Sequence, residues 1–141
     1  MKKKLLFVEN LDPYQFDVLV MVGFTASDKK EFMKQMKKYR IDFAAAKIFL
    51  EKYDEIIEGL KKNLGQFMWI QDEKDHMMYI LSLRAYEDTW KYWEILMHEV
   101  HHLVRELADT KGFLKEPEAQ AYLFENLFRS IRRKLQGIDK L

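Results

Sequence analysis

At 141 residues, with 48% apolar and 14% aromatic side chains, the chain is long enough for one real core and too short to divide into two, so residues 1–141 read as a single domain. The 24 basic and 23 acidic side chains leave a formal charge of +1, which excludes the global field that nucleic-acid binders use. Cysteine is absent, so disulfides, thiolate zinc clusters and cysteine nucleophiles are excluded together, and a metal site would need His and carboxylate.

The start, MKKKLLFV, imitates a secretory leader, but its apolar run stops at Glu9-Asn10 before an h-region is long enough. No other stretch approaches membrane-spanning length, so the expectation is a cytoplasmic protein with no membrane partner. Residues 14–24 (YQFDVLVMVGF) follow Asp12-Pro13, are rich in β-branched and aromatic types, and predict a largely buried strand. Ser27 is the expected cap of a helix running from Asp28 to about Arg40, with Phe32, Met33 and Met36 at helical spacing against a solvated lysine face. Residues 41–62 are ambiguous. The stretch 43–50 is compatible with helix, and 53–60 has helical spacing before Asn63 and Gly65 interrupt it.

Two apolar runs, 66–70 and 77–83, flank the polar string Gln71-Asp72-Glu73-Lys74-Asp75, the signature of a hairpin. His76, in its turn, reads as a surface residue. From Glu87 to about Thr110 the period becomes helical, and Gly112 suits a C-terminal cap. Pro117 opens a last helix to about Leu135, whose apolar side is Ala119, Leu123, Phe124, Leu127, Phe128 and Ile131. There is no repeat, linker or low-complexity tract.

The penultimate helix carries His98-Glu99-Val100-His101-His102. A helix advances about 100° per residue, so His98 and His102 lie about 40° apart and can grip one ion from one face, with Glu99 beside them. Zinc hydrolases need this arrangement: two neutral imidazoles as ligands, and a carboxylate near enough to deprotonate the attacking water. Trp93, Leu96, Met97, Val100, Leu103, Val104 and Leu107 gather on the roughly opposite arc, so the imidazoles face away from the core. His101 falls between the two arcs, where a partly buried, hydrogen-bonded histidine is the commoner role.

An open catalytic zinc site takes three protein ligands. Glu118 is the best carboxylate for the third, Glu125 lies seven residues further on nearly the same face, and Glu106 would spread three ligands along one helix axis. The bland account of Glu118 and Glu116 is an acidic residue favoured by the dipole at a helix start.

The order His-Glu-x-x-His, glycine turn, then Glu-Ala-Gln-Ala-Tyr at 118–122 resembles gluzincins, and in particular the small zincin-like proteins of tailed bacteriophages. The metzincin pattern fails at Arg105 and Ala108, and a deformylase-like site lacks its cysteine. The resemblance covers about residues 65–131. It implies a minimal α+β zincin-like fold, a small antiparallel or mixed sheet packed against an active-site helix and a C-terminal helix. It also implies Zn2+ held by His98, His102 and Glu118, Glu99 as general base and Tyr122 as a candidate transition-state donor. The implied activity is a small metallopeptidase acting on a peptide or protein substrate in the host cytoplasm. The substrate would pair with an exposed sheet edge, for which residues 79–84 are well placed. Two other readings are a non-catalytic zinc module and nucleic-acid binding through Arg129, Arg132, Arg133 and Lys134. The latter is weaker, because cations at a helix end are usually solvated and favoured there by the dipole.

Overall fold

The apolar part of the leader-like run, Leu5 to Val8, lies within a strand. The computed structural model describes residues 3–11, 14, 16–38, 43–71 and 77–141. Along them run strands β1 (Leu5–Asn10) and β2 (Asp17–Val22), a 3-10 turn (Ala26–Asp28), and helices α1 (Lys29–Lys38) and α2 (Phe43–Lys62). Strands β3 (Gly65–Gln71) and β4 (Met77–Leu83) and helices α3 (Trp90–Lys111) and α4 (Pro117–Leu135) complete the order. The fold is α+β, with a mixed sheet in the order β1-β2-β4-β3. β1 and β2 pair antiparallel, as do β3 and β4, and β2 lies parallel to β4 at the centre.

Side chains alternate across a strand, and this sorts the apolar residues into two layers. Val18, Val20 and Val22 of β2 and Tyr79, Leu81 and Leu83 of β4 join Leu96, Val100, Leu103 and Leu107 of α3 and Leu123, Leu127 and Ile131 of α4. Leu19, Met21 and Ile80 face the other way, against Phe32 and Met36 of α1 and Phe49, Tyr53, Ile56 and Leu60 of α2. Burial on both faces explains why β1 and β2 read as continuous apolar runs. Of residues 41–62, ambiguous in sequence, Phe43–Lys62 form the long helix α2 of the second layer, and 41 and 42 lie outside the described residues.

Several local expectations shift. The strand expected over 14–24 is shorter, Asp17–Val22. Thr25, not Ser27, precedes the first helical turn: its N–H and hydroxyl both donate to the Asp28 carboxylate, at 2.8 and 2.7 Å. α3 starts at Trp90 rather than Glu87, because the Thr89 hydroxyl accepts the Tyr92 N–H as a cap. Gly112 ends α3 in the left-handed region, with φ 79°, and its N–H returns to the Ala108 carbonyl, as its position predicted. The expected edge at 79–84 is corrected: β4 lies between β2 and β3, and the edge nearest the motif helix is β3. The turn at 72–76, with His76, lies outside the described residues. Among the described residues no helix is long and apolar enough to cross a membrane.

Candidate metal centre

α3 crosses the sheet with its apolar arc down. Trp93, Leu96, Val100, Leu103, Val104 and Leu107 are buried, Met97 is half-buried, and His98 and His102 are exposed on the other arc, as the helical wheel requires. The two imidazoles converge. Their Nε2 atoms stand 3.1 Å apart and their rings meet edge to face at 4.6 Å and 87°. Two nitrogens each about 2.05 Å from one tetrahedral ion would be separated by about 3.3 Å. The pair therefore fits two adjacent corners of such a site, while neutral rings in the same pose share an N–H···N hydrogen bond.

Both rings open onto a cleft of about 680 Å³ between α3 and the start of β3, lined also by Gly65, Phe67, Glu94 and Glu99. Glu99 is only 8% exposed, wedged where α3 meets β3. Burial pushes its carboxyl above the usual carboxylate range, and the neighbouring His98 and His102 pull it back down. Gly65 permits this approach. A Cβ there would lie 2.8 Å from Ile95 Cγ2 and 3.1 Å from Glu99 Cγ, closer than ordinary packing allows.

The residues of α4 are placed differently. α4 folds back onto α3 through Leu123, Leu127 and Ile131, so it meets the apolar side of α3 rather than the histidine side. Glu118 and Tyr122 are exposed and do not line the cleft, and Tyr122 keeps 62% of its surface in solvent. Glu125 is exposed and paired with Arg129. Among the described residues, no three His, Asp or Glu side chains are grouped to hold a metal ion. His101 is exposed rather than partly buried, because its arc of α3 meets neither the sheet nor α4 closely enough to cover it. Glu106 is half-buried beside the outer end of the cleft.

Two cleft residues escaped the reading of the sequence. Glu94 stands one turn before His98, a relation the same four-residue arithmetic contains, and Gly65 had registered only as a helix breaker. The basic residues of α4 have partners of their own: Arg129 with Glu125, Arg133 with Asp139, Lys134 with Glu9, and Arg132 over the Trp93 ring. Comparison of the chain with protein-family models, curated proteins and solved structures returns no match, so what the site does is argued from its own geometry.

Proposed function

We propose that the chain is a zinc-dependent hydrolase, a small metallopeptidase working in the cytoplasm. The observation that carries the reading is the convergence of His98 and His102 Nε2 at 3.1 Å on the rim of a cleft, with the Glu99 carboxyl inside it. His98 and His102 would hold the ion, and the third ligand proposed from the resemblance is Glu118. Because Glu118 stands outside the cleft, holding the ion would require the first turn of α4 to leave the apolar side of α3 and swing round to the histidine side, and Glu94 competes for the role from within the cleft.

When bound, zinc supplies Lewis acidity to the water and to the scissile carbonyl. The chain supplies the rest. Glu99 takes a proton as the water oxygen bonds to the peptide carbonyl carbon, then returns it to the departing amine nitrogen as the C–N bond breaks. Tyr122, by the same resemblance, would donate to the developing oxyanion once α4 has moved. The outer edge of β3 would align the substrate. Arg84 N–H donates to the Leu64 carbonyl across the β3–β4 ladder, and alternation from that pair turns the N–H and C=O of Gly65, Phe67 and Trp69 outward.

Zinc content and cleavage of a mixed peptide pool, read by mass spectrometry, test the proposal. Wild-type protein is expected to retain one zinc and cut peptides. Glu99→Gln should keep the zinc and lose roughly 10²–10⁴-fold in rate. Equal cleavage by Glu99→Gln would remove the base assignment. Loss of zinc in Glu118→Ala but not Glu94→Ala selects the third ligand, and the reverse selects Glu94. A second reading, a zinc module without turnover, draws on the pairing of only two ligands among the described residues. It predicts bound zinc and no cleavage in wild type.

A further inference from the structure

The cleft beside His98 and His102 is the middle of a longer groove. Toward the start of α3 it shares Leu64 and Ile95 with a cavity of about 930 Å³ at the ends of β2 and β4. Phe24, Ile57, Leu60 and Tyr92 give that cavity apolar walls, and all four are buried. Among the described residues, its mouth carries Lys61, Arg84 and Lys91 against the carboxylate of Glu87. Arg84 is fixed there by donating Nε to the Leu60 carbonyl at 2.8 Å and Nη2 to the Lys61 carbonyl at 2.9 Å. Lys61 pairs with the exposed Glu58, and Lys91 makes no ion pair among the described residues. Toward the other end of α3 the cleft shares Phe67 and His102 with a smaller hollow of about 450 Å³, where Glu106 and Asp109 outnumber Arg105.

Charge and strand direction give the groove the same polarity. β3 runs from Gly65, which follows Leu64 of the cationic cavity, to Phe67 and Trp69, which line the acidic hollow. A peptide antiparallel to β3, the better hydrogen-bonded arrangement, would bring its C-terminal side to the cations and its N-terminal side to Glu106 and Asp109.

We infer that the cavity at the ends of β2 and β4 is a specificity subsite for the C-terminal side of an extended peptide. It takes a bulky apolar side chain, and its rim takes a following carboxylate. This rests on the hydrolase reading, which places the scissile bond opposite His98 and His102. Lys91 lies seven residues before His98, about 10 Å along the helix axis, which an extended peptide covers in about three residues. The preferred substrate therefore carries its acidic group about three residues beyond the cleaved bond.

The test is binding, measured by fluorescence anisotropy on the full chain in the presence of a chelator, so that metal and turnover play no part. Three labelled hexapeptides serve as probes: Ala-Ala-Phe-Leu-Ala-Glu with a free C-terminus, the same peptide ending in lysine amide, and the acidic peptide with glycine for both Phe and Leu. The acidic apolar peptide should bind about fivefold tighter than the lysine-ended one, with the difference shrinking as salt rises. Lys91→Glu, an exposed change that turns three cations facing one carboxylate into two facing two, should abolish that preference, and the glycine peptide should bind at least about tenfold more weakly than its parent. An order that Lys91→Glu leaves unchanged, or equal binding of the glycine peptide, overturns the inference. Zinc uptake and cleavage are measured separately. A preference that Lys91→Glu abolishes, without zinc uptake, keeps the subsite and removes the hydrolase, whereas zinc-dependent cleavage indifferent to Lys91→Glu removes the subsite alone.

Discussion

Gly65 and Glu99 meet where β3 and α3 come into contact, and each constrains the other. A methyl group at Gly65 would press on Ile95 Cγ2 and Glu99 Cγ, atoms of α3 side chains already in a packed layer. Gly65→Ala is therefore expected to lower stability by about 1–3 kcal/mol, the usual cost of overpacking, read as a fall in the urea midpoint. It should also reduce any cleavage by the surviving folded protein, since the carboxyl of Glu99 moves with α3. At this scale the sequence was half legible. The spacing of His98 and His102 on a regular helix puts both imidazoles on one face, with Glu99 beside them. Gly65 carried no such signal, because its partner lies thirty-four positions away and only the tertiary approach of α3 gives it meaning. Glu118 was chosen by motif order, and motif order says nothing of the side from which α4 approaches α3.

Among the elements, the residue leading into β1 is tied to the first helical turn by a charged contact: Lys4 Nζ donates to Asp28 Oδ1 at 2.6 Å. That bond, chiefly, with those from Thr25, holds the Asp28 carboxyl below its usual range despite its burial. A group depressed in the folded state adds stability above its unfolded pKa and loses it as pH falls through the folded value. Lys4→Met should therefore lower the urea midpoint near neutral pH. The difference from wild type should shrink as the buffer is acidified from about pH 7 through the lowered folded-state value of the Asp28 carboxyl. A difference that persists in acid would assign the effect to packing of the Lys4 stem instead. The helices α3 and α4 were legible as elements because each shows a sustained 3.6-residue apolar period. β1 was not, since Leu5, Phe7 and Glu9 face α3 and α4 while Leu6 and Val8 face α1 and α2, leaving no polar alternation to read.

Across the whole molecule, the central β2–β4 pair is shared by both packed layers, so neither layer has a sheet of its own. The three tryptophans sit on or beside the α3 side: Trp93 is buried there, Trp69 is 51% exposed on β3, and Trp90 opens α3. Ile56→Ala alters only the opposite layer, where Ile56 is fully buried. It should nonetheless move the tryptophan fluorescence transition as far as the far-ultraviolet circular dichroism transition, by about 2–5 kcal/mol. Two separated transitions would show that the layers unfold independently. Which helices share a layer could not be read in advance, because the parallel join of β2 to β4 spans the two hairpins and leaves no local pattern.

Among the described residues no strand pairs with the outer edge of β3, and its sequence GQFMWIQ contains no proline and no charged residue. Bare edges of that composition are templates for any extended chain, including a second copy of the same strand. The strand proposed to select a substrate is thus also where self-association and precipitation of concentrated protein would start, and an occupied groove would act as a solubilising cover for it.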